Sequence, residues 1–364
     1  MRDTYKEYRT KVEEIRKYIA TLQQLKKLPE KYLKKFPESD SEEPIEKELK
    51  NLIEELKKFV TMPQKRRYDY SLAIIILYGI FESYVEKIMC AYLNMLCSNV
   101  QSYSDLQESL RTHHIELSTK LMGTKSLKYR ELKPSDIIAK LHSCLSQGSN
   151  PYQINIEAFT QHSTNFRMDS LHEFFSHIGI TNIKLFITKD AELTRFIRTS
   201  KGLEADGEPL QDDTYFEKLH DLVERRNQVA HGSEVDELLS LEILDEYAQY
   251  ISLLLMPIFD CLQASFYSIL VEKKLVVCLG VPIRTFKNNT VVCINSNNNT
   301  IRLKDTIIAQ TGEGSLRWGE IQSIMINSNP VTEVLSTQAA DIGMQVDFVA
   351  KDTYTYYLFP SDDS

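Results

Sequence analysis

Apolar side chains recur at three- and four-residue steps in two charged stretches near the start of the chain. Leu22, Leu25 and Leu28 lie in residues 4–28, and Ile45, Leu49, Leu52, Ile53 and Leu56 in residues 43–60. That spacing stacks them on one face and predicts two amphipathic helices. Pro29, Pro37 and Pro44 punctuate the stretch between them, so residues 1–65 read as a helical hairpin packed on the next domain. From Tyr68 to Cys97 the pattern becomes almost wholly apolar, with no charge from Ser71 to Phe81, and then Glu82 appears. The run LAIIILYGIF at 72–81 is far short of the ~20 residues a membrane span needs, so it reads as a buried helix.

Four more helical stretches lie downstream. PSDIIAKLHSCL (134–145) opens with Ser135 or Asp136 as a cap, and MDSLHEFFSHIG (168–179) is closed by Gly179. Beyond a polar loop at 199–212, DTYFEKLHDLVERRNQVAHG (213–232) has Thr214 and Glu217 at capping-box spacing and a terminating Gly232. The last apolar stretch, 236–270, is one long helix or two broken near Pro257. Residues 66–270 therefore form an all-helical bundle.

After Leu270 the period changes from helical to alternating. KLVVCLG, TVVCINS, TIRLKDTIIAQ, EIQSIMIN, QVDFVA and TYTYYLF are short β-branched and aromatic runs, and KNNT and SNNNT between them are hairpin signals. Residues 271–364 are expected to form a small antiparallel β barrel or sandwich. The fold class is α+β multidomain, with units at 1–65, 66–270 and 271–364.

Composition narrows the function. The 364 residues carry a net charge of −8, so general affinity for nucleic acid is not built in, and any such contact needs a local basic patch. The one dense basic stretch of the bundle is KLMGTKSLKYRELK, with Lys120, Lys125, Lys128, Arg130 and Lys133. Six cysteines without a CxxC pair suit free thiols in a reducing compartment. The first residues contain no apolar signal core, and the protein is expected in the cytoplasm. His113 and His114 are adjacent and point apart, and no carboxylate or cysteine pattern completes a metal set; neither metal nor cofactor is expected. No GxxxxGK[ST], GxGxxG or GxSxG occurs.

The most informative position is Arg226. On a helical wheel Phe216, Leu219, Leu222, Val223, Val229 and Ala230 span an arc of roughly 140°, and Arg226 falls near its middle. A guanidinium there keeps its charge and must meet an anion or be held at an inter-helix surface. A structural carboxylate such as Glu82 would serve, and so would a position at an interface. His220, Asn227 and His231 gather at the edge of the same arc.

Arg226-Asn227-Gln228-Val229-Ala230-His231-Gly232 resembles the R-x4-6-H signature of HEPN domains, in the branch with RN…AHG. The bare spacing is weakly specific, since Arg167 and His172 share it. There, however, the arginine precedes a helix and Met168 comes directly after it. The resemblance covers about 66–270, includes GIFESYVEK (79–87), and implies a bundle of about four helices. Many HEPN proteins are metal-independent endoribonucleases. By that resemblance His231 would act as acid/base, Arg226 would hold the phosphate, and Asn227 would orient either partner or the phosphate. Glu82, the one charge between Ser71 and Val85 with Ile75, Met89 and Leu93 as wheel neighbours, is expected to face the signature and orient Arg226 or His231, the alternative being a solvated end of the apolar stretch beside Glu86. Arg226 and His231 diverge by roughly 140° around the helix, so a homodimer or higher symmetric oligomer is expected to complete the cleft. Lys125, Lys128 and Arg130 are expected to follow the RNA backbone, and the C-terminal β domain to serve a protein partner. The function so implied is an RNA-cleaving toxin or antiviral effector; the alternative is a non-catalytic HEPN interaction module.

Overall fold

The computed structural model describes residues 1–34, 44–124, 127–146, 151–205, 207–232, 237–335, 337 and 340–360. The chain divides into two compact units. One comprises Met1–Met95 with Leu106–Cys261, the other Leu96–Asp105 with Leu262–Ser364.

The first unit opens with α1 (Arg2–Leu33) and α2 (Pro44–Thr61), which pack on each other. They belong to the same unit as the bundle. Tyr8 on α1 bonds Ser83 and sets its ring 5.7 Å from that of Tyr84, both on α3 (Pro63–Asn99). Expected punctuation at Pro29 is not observed: α1 runs through it for one more turn, with the proline ring buried. Packing of the ring offsets the one hydrogen bond a mid-helix proline forfeits. The bundle continues through α4 (Glu108–Met122), α5 (Pro134–Leu145), α6 (Ile156–Phe159), α7 (Met168–Ser176), α8 (Ile183–Lys189), α9 (Ala191–Ser200), α10 (Glu217–Ala230) and α11 (Leu241–Glu272).

α3 is the central helix. Ile74, Leu77, Phe81, Tyr84, Ile88 and Tyr92 are fully buried along it, and the Tyr84 hydroxyl donates to the Leu255 carbonyl at 2.7 Å. α11 is unbroken at Pro257. It is long and apolar enough to cross a membrane by composition, but two-thirds (67%) of its apolar window is buried inside the fold. α1 is tied to it by Arg16 and Asp245 at 2.8 Å.

Two caps differ from expectation. α5 starts at Pro134 with Lys133 at its N-cap and no side-chain cap bond; proline at the first position supplies a preset φ instead. At α10 a 3₁₀ turn over Asp212–Tyr215 intervenes, so Thr214 and Glu217 form no capping box. Gly232 does end α10, at φ +68°, the left-handed conformation that glycine adopts without a Cβ penalty.

In the second unit every strand pairing is antiparallel. β1 (Val277–Gly280), β2 (Arg284–Phe286), β3 (Val291–Asn295), β4 (Ile301–Arg302), β5 (Thr306–Gln310), β6 (Leu316–Glu320), β7 (Ser323–Ile326), β8 (Asn329–Val331), β9 (Glu333–Val334), β10 (Asp341–Gln345) and β11 (Thr355–Phe359) form sheets ordered β1-β11-β5-β6 and β2-β3-β10-β7-β8, with a β4-β9 ladder. One core receives Tyr356, Leu358 and Ile307 from the first sheet and Val292, Ile294, Ile342 and Met344 from the second. This is a sandwich, not a closed barrel. The KNNT turn joins β2 to β3, with Lys287, Asn288 and Asn289 all at positive φ. SNNNT is no hairpin, because β3 and β4 pair with other strands. The QVDFVA run forms no strand beyond Gln345; the ladder lies one step earlier, in Asp341–Gln345.

Candidate functional site

α10 enters the bundle on its first turns and leaves it on its last. Leu219, Leu222 and Val223 are buried, Arg226, Asn227 and Val229 are partly covered, and Ala230 and His231 are exposed. The apolar arc thus seats its first half in the core, and Arg226 stands where that arc emerges. The neighbouring Arg225 is held differently. It bonds Asp221 at 2.6 Å and the Tyr70 hydroxyl at 3.2 Å, and Asp221 also accepts from Tyr247. Arg225 is a structural tie between α10, α3 and α11.

Arg226 makes no ion pair among the described residues. Its guanidinium lies over the Tyr78 ring, 5.4 Å from the centroid, and one N–H donates to Asn227 Oδ1 at 3.3 Å. A cation over an aromatic face gains from the ring quadrupole without losing its hydrogen-bond donors. Asn227 Oδ1 also accepts from Asn165 Nδ2 at 2.7 Å. Neither Glu82 oxygen reaches Arg226 or His231. Glu82 accepts from the Tyr78 hydroxyl at 3.2 Å, and the ring of that tyrosine lies between it and the guanidinium contact. The same hydroxyl accepts the buried backbone N–H of Phe166 at 2.9 Å. Burial and then the Glu82 charge push the Tyr78 phenol well above its ordinary range.

The segment 160–167 therefore links α3 to α10. At its other end His162 bonds Glu86 at 2.9 Å through Nε2 and the Thr164 carbonyl at 3.0 Å through Nδ1, with its ring 4.3 Å from that of Phe166. Both ring nitrogens face acceptors, which suits the protonated form. Burial alone would lower the His162 pKa, but Glu86 and the Thr164 carbonyl together outweigh it and hold the pKa above the usual range. Burial would likewise raise Glu86, yet His162 and Lys128 hold it below the usual carboxylate range. Tyr78, Glu82 and Glu86 succeed one another at four-residue steps on one face of α3, roughly 12 Å end to end.

Of the basic stretch, Lys128 is drawn to this stripe by Glu86 and lies over the Tyr129 ring. Arg130 is exposed, and Lys125 lies outside the described residues. His231 is the C-cap of α10, with its backbone N–H on the Asn227 carbonyl at 3.0 Å. Its imidazole makes no hydrogen bond among the described residues. His220 accepts a long bond from the Met168 backbone N–H at 3.4 Å. The second R-x4-H pair is built into the frame: Arg167 is the N-cap of α7 and pairs with Glu224, and His172 bonds the Thr181 carbonyl. Among the described residues no group of three or more His, Cys, Asp or Glu stands where it could hold a metal.

A family model described as RiboL-PSP-HEPN matches residues 40–264. The chain belongs to the HEPN family. No curated protein and no solved structure matches it. The match begins ahead of α2 and ends within α11, so it holds the whole Arg226 patch and excludes α1 and the sandwich. HEPN domains serve as ribonucleases or as nucleotide-binding modules.

Four residues of this HEPN patch escaped sequence reasoning: Tyr78, Glu86, His162 and Asn165. Tyr78 lay inside an apolar run and read as core. His162 and Asn165 sit in a segment without periodicity, where no spacing argument operates.

Proposed function

We propose that this HEPN protein is an endoribonuclease that uses the RNA's own 2′-hydroxyl as nucleophile. The observation that carries the reading is the polarity of the patch. Asn227 Oδ1 is engaged by both Asn165 and Arg226, so the Asn227 amide and the guanidinium have only N–H donors left to offer, and an anion is their natural partner. In this scheme Arg226 and Asn227 hold the scissile phosphate. His231 accepts the 2′-hydroxyl proton as the 2′-oxygen bonds phosphorus, and the bond to the 5′-oxygen breaks with a proton delivered to that oxygen. The products are a 2′,3′-cyclic phosphate and a 5′-hydroxyl end. A homodimer through the Arg226 face brings a second His231 to the cleft, and Lys128 and Arg130, with Lys125, carry the RNA backbone. The sandwich recruits a regulatory partner, and the activity restricts growth or phage. Six free cysteines fit a reducing cytosol.

A non-catalytic binding module is the second reading, favoured by one feature: no side chain among the described residues orients His231. Total RNA incubated with purified protein in EDTA separates the two. Cleavage leaving cyclic-phosphate ends, lost in His231→Ala and in Arg226→Ala, supports the enzyme. Undiminished cleavage in His231→Ala removes the scheme, and RNA binding without cleavage leaves the module.

A further inference from the structure

The hairpin carries an apolar seam that stays largely open among the described residues. Ile45, Leu49, Leu52, Leu56 and Phe59 succeed one another along α2 at steps of four, three, four and three. These are the a and d positions of two heptads, the spacing of a helix built to pack along another helix. In the folded chain Ile45 is 74% exposed, Leu52 62%, Phe59 53% and Leu49 48%, while Leu56 is half-buried. The side of α2 that is covered lies elsewhere: Ile53 is buried and Val60 half-buried, on the edge that packs on α1. Amphipathic helices turn such a stripe inward, since each exposed leucine-sized side chain forgoes the gain of leaving water.

Charge selects the occupant. On the wheel Glu48 and Glu55 lie roughly 60–80° from the middle of the seam, on the edge away from α1. Neither makes an ion pair among the described residues. Lys47, Lys50, Lys57 and Lys58 fall behind the seam. The open edge of α2 is therefore purely acidic. A second copy fits badly in either direction. Antiparallel pairing sets the Glu48/Glu55 edge against its own image, where like charges repel, and parallel pairing sets it against the Ile53/Val60 edge that α1 already covers.

We propose that α2 is a docking helix for a different protein, which supplies an amphipathic helix with leucine-type residues on its seam and lysine or arginine along the facing edge. The hairpin holds α2 already helical, so the ordering cost that makes isolated short helices marginal falls on one partner only.

The test uses the full chain and two fluorescent three-heptad peptides, both with Leu at a and d, one with Lys and the other with Glu at every e and g position. At low salt the wild type binds the Lys-edged probe about tenfold tighter than the Glu-edged one, a preference that shrinks as salt rises. Glu48→Lys/Glu55→Lys reverses it with the seam intact. Leu49→Ser/Leu52→Ser, both at exposed positions, lowers binding of the Lys-edged probe about tenfold while the circular dichroism spectrum stays unchanged. Equal binding of the two probes, or a preference that survives charge reversal, overturns the proposal. So does a homodimer in sedimentation velocity that Leu52→Ser abolishes, which would seat a second copy on the seam.

Discussion

Replacing Tyr78 with phenylalanine isolates one oxygen atom. The ring stays under Arg226 and the volume barely changes, so neither the cation–π contact nor the packing of α3 is lost. What disappears is the acceptor for the Phe166 N–H at 2.9 Å and the donor to Glu82 at 3.2 Å. Glu82 is only partly buried and can turn to water. Phe166 is 1% exposed, and its amide has nowhere to turn. An orphaned buried N–H costs about 1–3 kcal/mol, so the 160–167 segment should open about 5–150 times more often. Hydrogen–deuterium exchange of a peptide spanning 160–168 reads this directly, because the affected amide lies within it. Opening frees Asn165 from Asn227, so under the proposed function RNA cleavage falls alongside protection. Exchange within twofold of wild type would show that the Tyr78 hydroxyl does not hold the segment, and the account of how α3 positions α10 would be wrong. Tyr78→Leu removes the ring as well, so the loss of the cation–π contact, about 0.5–2 kcal/mol, adds to the cavity left by a fully buried ring.

Three other outcomes are expected from the same geometry. The Glu86–His162 pair gives the segment a pH window. Glu86 has a lowered folded pKa, so its contribution is present above about 4.5 and is lost as pH falls through the folded value; His162 has a raised one, so its contribution is complete below about 6.5 and is lost as pH rises through the folded value. Protection of the segment should therefore peak between those values, and His162→Gln should flatten its alkaline side, as exchange measured across pH would show. Gly232→Ala meets no atom within 4 Å but must hold φ +68°, so thermal melting should register about 1 kcal/mol of purely backbone destabilisation. Gly319→Ala in β6 drives its Cβ into the Asp347 carboxylate and should lower the denaturation midpoint of the sandwich, with partial rescue by Asp347→Ala; no loss in the single variant would contradict the packing.

Periodicity is a local property, and it carried the helices, the change of texture after Leu270 and the place of Arg226 in its arc. α3 and α10 lie close to where their apolar spacing put them because burial of one face is what selects a helix from a sequence. The motif was legible for a related reason: Arg226, Asn227 and His231 are neighbours along one helix, so their spacing alone fixes how they fan around it. Local rules misread the chain where packing overrode them, at Pro29 inside a helix and at the missing N-terminal caps of α5 and α10, and they left open whether Pro257 breaks the last helix. Pairings between distant segments left no trace in any window of sequence. Nothing in residues 160–167 announces that Asn165 will meet Asn227, that Phe166 will donate to Tyr78, or that His162 will share Glu86 with Lys128. Spacing placed Arg226 in the apolar arc, but it did not show that Asp221 and Tyr70 would claim Arg225 while no carboxylate among the described residues claims Arg226. Those assignments depend on which side chains come within hydrogen-bond reach when α3, α10 and the segment between α6 and α7 converge, a long-range geometry that only the tertiary fold decides.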